Sequence, residues 1–203
     1  MSTLDPLASF RAAHARHTDV AAATLSKCAT DIAQAAQLIA DAVVGNRIFA
    51  CGNGGSAADS QHFVAEFACR YKNDRPPLSA IALTTNTSNL TAIANDYSFD
   101  DIFSRQIEAL GTSGDVLVAF TTSGKSPNIL RAVEAARRKE MEVIFMTGTK
   151  GAEAVRAIHP AVAIIVPTEE TARIQEMHEL IYHAWCEYVD LVLGVKEKSN
   201  VTT

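Results

Sequence analysis

The sequence of 203 residues predicts an α/β protein built on a doubly wound, five-stranded parallel sheet flanked by helices. Short apolar runs alternate along the chain with longer segments of helical periodicity, as in proteins whose strands are joined by crossover helices. The runs 116–120 and 143–146 are also apolar throughout. Continuous apolar runs of this length are typical of strands that helices bury on both faces.

The elements of this sheet follow one another in a regular order. The strands are predicted at 47–51, 79–84, 115–120, 142–147 and 161–166. The helices are predicted at 56–70, 87–95, 101–110, 127–139 and 152–158, with a long closing helix from 171 to 193. The chain therefore divides into an α/β domain, 46–195, and a polar tail, 196–203, that we expect to be flexible.

An alanine-rich segment, 4–44, precedes the first strand and has larger apolar residues three, four or seven positions apart. This pattern predicts two amphipathic helices that meet near His17-Thr18-Asp19, where Thr18 or Asp19 caps the second helix. Gly45 then ends it. Because their apolar stripe needs a cover, we expect the N-terminal helices in residues 1–45 to pack on partner subunits of a homo-oligomer.

The composition argues against several classes of protein. A formal net charge of −5 is unfavourable for a nucleic-acid-binding surface. No apolar run approaches the roughly 20 residues needed to span a bilayer, and the N-terminus lacks the pattern of a secretory signal. Four cysteines are scattered without a CxxC pair, which indicates reduced thiols in a cytoplasmic protein and no structural zinc cluster.

The loop after the first strand, 51–59, reads CGNGGSAAD. In a doubly wound sheet ligands bind beyond the carboxyl ends of the strands, where the strand order reverses. The glycines permit a tight turn, and the helix that follows offers free N–H groups to an anion. Gly52, Gly54 and Ala57 also fit a relaxed dinucleotide motif, but the second strand ends without the acidic residue that would hold a ribose. A tight strand-to-helix turn without a ligand is the alternative.

The loop after the third strand, 121–127, reads TTSGKSP and also precedes a helix. Its four hydroxyl groups and its helix N–H groups are good donors to phosphate. Ser126 could simply cap the helix, but capping needs one hydroxyl group and this loop has four. We therefore predict an anion site here, and we expect the two loops to converge on one ligand.

Two helices carry side chains suited to proton transfer or metal binding. His62 and Glu66 are four residues apart and share a helical face, as an acid–base pair, as metal ligands or as an ordinary surface pair. Gln175 and His183 are eight apart in the closing helix, about 12 Å along its axis, so they reach one point only by leaning together. His178 is an alternative partner.

Together these motifs, CGNGGSAAD, QHFVAEF, TTSGKSPN and ARIQEMHELIYH, closely resemble the sugar isomerase (SIS) fold and, within it, the phosphoheptose isomerase family. The resemblance covers residues 20–192. It implies an aldose–ketose isomerase that converts sedoheptulose 7-phosphate into D-glycero-D-manno-heptose 7-phosphate through an enediol, the first step towards nucleotide-activated heptose for lipopolysaccharide or other surface glycans. It also implies a homotetramer with active sites at subunit interfaces and one zinc ion per subunit.

The resemblance also implies roles for individual residues. The zinc ligands would be His62, Glu66, Gln175 and His183. Of these, Glu66 would be the catalytic base and His183 its partner. The substrate would contact Asn53, Gly54, Gly55, Ser56, Glu66, Arg70 of a neighbouring subunit, Asn95, Asp96, Thr121, Thr122, Ser123, Ser126 and Gln175.

Two positions depart from the family pattern. Thr121 replaces the usual Ser and keeps the hydroxyl group. Asn86 stands where many members have Asp, so a hydrogen bond is kept and a charge is lost. An isomerase of another ketose phosphate is therefore one alternative. A second is a non-enzymatic tetrameric adaptor of the replication initiator, although such adaptors lack the acidic residue at position 66 and the closing His.

Overall fold

The computed structural model describes residues 5–195, and the predicted tail, 196–203, lies outside them. The strands are β1 (Ile48–Cys51), β2 (Ala80–Ala82), β3 (Val116–Phe120), β4 (Glu142–Gly148) and β5 (Val162–Val166). The helices are α1 (Pro6–Ala42), α2 (Gly55–Ala68), α3 (Thr87–Asp96), α4 (Ser104–Leu110), α5 (Pro127–Arg138), α6 (Ala152–Ile158) and α7 (Thr171–Val192). Among the helices of residues 5–195, none is both long and apolar enough to cross a membrane.

The five strands form one parallel sheet in the order β2-β1-β3-β4-β5, which confirms the predicted fold class. Ile48 of β1 pairs with Ala80 on one side and with Val116 on the other. The chain therefore leaves β1 towards one edge of the sheet and returns through β3 towards the other. This reversal places the loops after β1 and β3 next to each other, at the point where such sheets bind ligands.

The sheet is buried on both faces, and this explains its continuously apolar strands. Val118 and Ile144 pack in one core cluster with residues of α1, α2 and α7. Leu117 and Phe145, their neighbours in sequence, pack in a second cluster with residues of α4, α5 and α6. Because successive side chains of a strand point to opposite faces, a strand with a core on both sides needs apolar residues at every position.

The prediction of two N-terminal helices is wrong, because α1 is a single helix of 37 residues. No Gly or Pro interrupts the segment where the junction was expected. The hydroxyl group of Thr18 donates to the carbonyl oxygen of His14, one turn earlier, at 3.0 Å. Thr18 thus bonds within a continuing helix and does not cap a new one.

Helix α1 differs along its length in what covers it. Its second half joins the core of its own domain, where the indole of Trp185 donates to the carbonyl oxygen of Ile32 at 3.0 Å. In its first half, in contrast, Leu7 and Phe10 are exposed, and Leu25 near the middle of the helix is exposed as well. The second half of α1 is therefore part of the domain's own core, and packing on a partner subunit stays a prediction for the exposed apolar side chains of this helix.

The predicted helix 101–110 begins later in the structure. Phe99–Asp101 form a 3-10 turn, in which the Ser98 hydroxyl accepts from the backbone N–H of Asp100. Helix α4 then starts at Ser104. The polar sequence SFDD before it favours this separate capped turn.

Candidate active site

The loops after β1 and β3 enclose a cavity of about 210 Å³ at the reversal of strand order, which we call the switch-point cavity. Both loops were predicted to bind one anion, and the structure brings them together. The cavity also receives side chains from the start of α7. Its lining consists of Asn53, Gly55, Ser56, Phe120, Thr121, Thr122, Ser123, Ser126, Thr171 and Gln175.

The first loop brings its backbone against the start of α2. A Cβ atom at Gly52 would lie 2.2 Å from the carbonyl oxygen of Ser56, so only glycine fits there. Gly54 has φ +57°, a conformation that L side chains rarely adopt. Helix α2 then starts without a side-chain cap from the described residues. Its positive end, at Gly55 and Ser56, therefore lies at the cavity wall.

The second loop is folded by its own hydroxyl groups. The buried Thr121 hydroxyl accepts from the backbone N–H of Gly124 at 3.1 Å, and the Ser123 hydroxyl accepts from that of Lys125 at 3.2 Å. Ser126 occupies the capping position of α5, but within the described chain its side chain makes no capping hydrogen bond. Ser126 therefore lines the cavity with a hydroxyl group that capping does not use.

A pair of amides locks the two loops together. The Asn53 side chain donates to Asn128 Oδ1 at 2.9 Å, and the Asn128 side chain donates to Asn53 Oδ1 at 2.8 Å. Asn128 is only 1% exposed and follows the first residue of α5. This reciprocal bond fixes the distance between the two loops.

A second group of side chains lies where α2 packs against α7, and we call His62, Glu66, Glu179 and His183 the imidazole–carboxylate cluster. His62 Nε2 lies 3.1 Å from a carboxylate oxygen of Glu66, and His62 Nδ1 lies 3.4 Å from one of Glu179. The imidazole rings of His62 and His183 are 5.0 Å apart and nearly perpendicular. Ligand atoms of His62, Glu179 and His183 lie within 4.8 Å of one another, and Glu66 joins this group through its contact with His62.

Tyr182 supports this cluster from the core. Its ring is fully buried, and its hydroxyl oxygen lies 2.8 Å from His62 Nδ1. Burial, and after it the negative charge of nearby Glu179, raises the pKa of Tyr182 well above its usual range, so the phenol stays neutral. The hydroxyl group therefore serves as a fixed hydrogen-bond partner that holds the His62 ring in one orientation.

Negative charge accumulates around the cluster. Asp59 lies one turn before His62 on α2, and burial, together with the charge of Glu179, raises the pKa of Asp59 to about 6. Within residues 5–195, His62 is the only ion-pair partner of Glu66 and Glu179, and neither pairs with Lys or Arg. One Asp59 oxygen is buried without a hydrogen bond to any described group. This surplus of carboxylate favours a cation.

The structure separates the residues predicted from the sequence into three places. The switch-point cavity is lined by Asn53, Gly55, Ser56, Thr121, Thr122, Ser123, Ser126 and Gln175, while Gly54 caps α2 beside it. The imidazole–carboxylate cluster contains His62, Glu66 and His183. The exposed residues Arg70, Asn95 and Asp96 do not line the cavity of their own chain. The Asn95 side chain donates to the Asp96 carboxylate, and Arg70 donates to the carbonyl oxygen of Lys72.

Gln175, the fourth predicted metal ligand, lines the switch-point cavity. A Cβ atom at Gly55 would lie 2.4 Å from the Gln175 side-chain nitrogen, which shows that this amide packs on the first loop. His183 lies two turns further along α7, beside His62.

Comparison with known proteins agrees with this geometry. Residues 14–148 match the family model of the SIS domain. A phosphoheptose isomerase of Bordetella avium is 55% identical over 169 residues, which cover 82% of this chain and 86% of that protein. This chain belongs to the phosphoheptose isomerase family. The resemblance drawn from its sequence motifs is confirmed.

Solved structures of the phosphoheptose isomerase family share the fold. The phosphoheptose isomerase of Neisseria gonorrhoeae is 44% identical, with a TM-score of 0.84 over 91% of this chain and 99% of that one. That of Francisella tularensis is 36% identical, with a TM-score of 0.87 over 93% and 100% of the two chains. The agreement over nearly the whole of both chains includes the helices that carry the candidate site.

Three residues that shape the candidate site were not predicted from the sequence. Glu179 had a usable signal, because it lies four residues after Gln175 and four before His183, on the same face of α7. Asn128 and Tyr182 had none, since their partners, Asn53 and His62, are 75 and 120 residues away. Only the packing of α2 on α7, and of one loop on the other, reveals them.

Asn86, one of the two departures from the family pattern, has a structural role. Its side chain accepts from the backbone N–H of Asn89 at 3.0 Å and caps α3. An Asp would cap equally well. Capping therefore accounts for either residue, and an effect of Asn86 on substrate choice stays a prediction.

Proposed function

We propose that this chain converts sedoheptulose 7-phosphate into D-glycero-D-manno-heptose 7-phosphate through an enediol. The observation that supports this best is the placement of the switch-point cavity beside the imidazole–carboxylate cluster along one helix. Ser56 lines the cavity, and His62 follows six residues later on α2, a rise of about 9 Å. A heptulose 7-phosphate has its phosphate at one end of the carbon chain and its reacting carbons, C1 and C2, at the other.

The phosphate would sit in the switch-point cavity. Hydroxyl groups of Thr122, Ser123 and Ser126 and the N-terminus of α2 are suited to its oxygens. Because the Asn53–Asn128 bond holds the two loops in place, binding needs no rearrangement of the cavity. Gln175 lies next to this site and can bond a sugar hydroxyl.

The proton transfers fall to Glu66 and His183. Isomerisation removes a proton from C1 of the ketose and returns one to C2, while a second group moves protons between the oxygens on C1 and C2. We assign the carbon-bound proton to the half-buried Glu66 carboxylate, whose side chain is 18% exposed. His183, on the facing helix, serves the oxygens.

We further propose one zinc ion per subunit, held by the predicted ligands His62, Glu66, Gln175 and His183. Imidazole nitrogens with carboxylate and amide oxygens form a donor set that suits zinc. The surplus of carboxylates around His62 also favours a cation. When bound, the ion would polarise the substrate carbonyl group.

The enzyme would work as a homotetramer in the cytoplasm. Arg70, Asn95 and Asp96 are exposed and do not line the cavity of their own chain, which fits a role in the site of a neighbouring subunit. All four cysteines are unpaired, as expected in a reducing compartment. Sedimentation that shows a stable monomer at micromolar concentration would contradict the shared site.

The test is an isomerase assay with sedoheptulose 7-phosphate, with and without added zinc. The wild-type protein should form the aldoheptose phosphate. Glu66→Gln and His183→Gln should each lose at least about 100-fold in kcat, the lower range for acid–base groups. Glu187→Gln, on the exposed face of α7, should match the wild type. No turnover by the wild type, with or without zinc, would refute the proposed function.

A further inference from the structure

Arg75 closes the end of the helix that carries the proposed base. Helix α2 ends at Ala68, and the last carbonyl groups of a helix have no partner within it. The Arg75 guanidinium donates to two of them, to that of Glu66 at 2.6 Å and to that of Phe67 at 3.0 Å. The last turn of α2 has no basic residue of its own. Arg75 therefore supplies the positive charge that stabilises a helix C-terminus.

The same guanidinium is anchored on α7. Its Nε donates to a carboxylate oxygen of Asp190 at 2.8 Å, and the two side chains are only 3% and 8% exposed. The other Asp190 oxygen is buried without a hydrogen bond to any group of residues 5–195. Removing the cation from a buried carboxylate is strongly destabilising. Arg75 thus joins the ends of α2 and α7 through a buried ion pair.

Arg75 belongs to a segment, 70–75, that runs from the end of α2 along α7, and we call it the crossing segment. It meets α7 at three successive turns, through the pairs Tyr71–His183, Lys72–Glu187 and Arg75–Asp190. The Tyr71 ring stacks on the His183 imidazole, with their centroids 5.6 Å apart. The second pair is exposed, and exposed ion pairs stabilise little. The buried pair of Arg75 is therefore the main anchor of the crossing segment.

We propose that Arg75 is a positioning residue of the isomerase, which holds the Glu66 carboxylate in place opposite His183. Arg75 is not among the described residues that line the switch-point cavity, and it bonds the backbone carbonyl of Glu66 and not its carboxylate. Its effect on the reaction must therefore pass through Glu66. The inference rests on the proposed function, in which Glu66 is the base, and it adds a residue that no sequence motif indicated.

The test replaces Arg75 by Lys, which keeps the positive charge but lacks the planar fork that reaches two carbonyl groups and a carboxylate at once. Since misplacement of a reacting group by about 1 Å can cost about 100-fold in rate, we expect kcat with sedoheptulose 7-phosphate to fall about 10- to 100-fold. KM should change little, because the switch-point cavity lies at the other end of α2. Melting curves set an assay temperature at which the variant is folded.

The matched control is Arg47→Lys. Arg47 pairs with Asp115, whose side chain is 1% exposed. These two residues directly precede β1 and β3, so they lie at the opposite ends of the strands from the switch-point cavity. Arg47→Lys should lower the Tm and leave kcat unchanged. An equal loss of kcat in both variants would overturn the proposal, because a general loosening of the protein would then explain it.

A second variant is used if Arg75→Lys does not fold. Asp190→Asn keeps an acceptor for Arg75 and removes the charge that anchors it, so kcat should fall by a smaller factor at nearly unchanged KM. Wild-type kcat in the folded variant would overturn the proposal. A KM that rises as far as kcat falls would overturn it as well. The crossing segment would then act through Arg70, which is proposed to contact the substrate of a neighbouring subunit.

Hydrogen exchange separates this inference from the proposed function. The backbone amides of Cys69 and Leu78 donate to carbonyl groups in the last turn of α2. They should exchange about 10-fold faster in Arg75→Lys, as expected for the loss of a hydrogen bond to a charged group, and at the wild-type rate in Arg47→Lys. Faster exchange together with an inactive wild type would refute the function and keep the role of Arg75 in holding α2. Unchanged exchange together with an active wild type would refute the positioning role and keep the function.

Discussion

The switch-point cavity and the imidazole–carboxylate cluster lie along the same helix, yet they are built in opposite ways. The cavity consists of glycines, hydroxyl groups and amides that are bonded to one another, with close contacts such as that of Gly52 with Ser56. The cluster consists of ionisable side chains, partly exposed, whose carboxylates have no Lys or Arg partner among residues 5–195.

The difference separates binding from chemistry. A rigid, neutral cavity can hold a phosphate through hydroxyl and N–H donors at little reorganisation cost. Proton transfer needs groups that change charge, and burial and neighbouring charges are what adjust the pKa values of such groups to their task. We therefore expect substitutions in the cavity to act mainly on KM and substitutions in the cluster to act mainly on kcat.

The largest effect is expected for Gly52→Ala, which should damage both regions at once. The new Cβ would meet the backbone of Ser56, which cannot move without displacing the start of α2. Because α2 carries both the cavity wall and His62, kcat/KM should fall by at least about 100-fold, as expected when reacting groups shift by about 1 Å. Steady-state kinetics, with a melting curve to confirm folding, would check this. An active Gly52→Ala enzyme would show that the first loop is not part of the site.

Tyr182→Phe should affect the cluster alone. The ring and its packing remain, but His62 loses the hydroxyl group 2.8 Å from Nδ1. Because His62 is a proposed metal ligand, we expect kcat to fall by about 10- to 100-fold, the loss typical of outer-shell partners, with KM little changed. The matched control is Tyr188→Phe, also on α7, which removes a hydroxyl group bonded to Gln37 of α1. Equal kinetics for the two variants would refute a positioning role of Tyr182.

Asn128→Ala should affect the cavity alone. Both bonds with the Asn53 side chain are lost, so the two loops are free to separate. Since the net value of each hydrogen bond is about 1 kcal/mol, the two together are worth about 2 kcal/mol, and we expect KM for the sugar phosphate to rise by up to about 30-fold while kcat changes little. A variant whose kcat falls as far as its KM rises would contradict the separation of the two regions.

Asp59→Asn should have the smallest effect, and a pH-dependent one. Burial and the charge of Glu179 raise the pKa of Asp59 from its ordinary value of 3.8 to about 6. Between these values the folded state binds more protons than the unfolded state, so Asp59 destabilises the protein progressively as the pH rises, and fully above pH 6. Asn cannot ionise, so the variant should raise the Tm of the metal-free protein more at pH 8 than at pH 4. An equal shift at both values would contradict this.

Much of the fold was predictable from the sequence because the parallel sheet imposes local patterns. Apolar runs such as 116–120 indicated buried strands, and all five strands were expected close to where they occur. The two loops were predictable as well, because their glycines and hydroxyl groups follow strands directly. The single helix α1 was not predictable. Thr18 can either cap a new helix or bond to the carbonyl oxygen four residues earlier within a continuing helix, and only tertiary packing decides between the two.

The candidate site was predictable where its residues are neighbours in sequence. His62 and Glu66, at helical spacing, do meet. Gln175 and Glu179 show the limit of prediction. They share one face of α7, but Gln175 lines the switch-point cavity and Glu179 belongs to the imidazole–carboxylate cluster. Arg70, Asn95 and Asp96 show another limit, since the roles proposed for them need a site shared between subunits, and the fold of one chain carries no signal for such a site.

The most direct test of the account compares binding and turnover in one variant, Glu66→Gln. Calorimetric titration with sedoheptulose 7-phosphate would measure binding, and an isomerase assay on the same sample would measure turnover. We predict that Glu66→Gln binds the sugar phosphate nearly as well as the wild type and does not isomerise it. If binding is lost together with turnover, the cavity and the cluster do not divide binding from chemistry as proposed here.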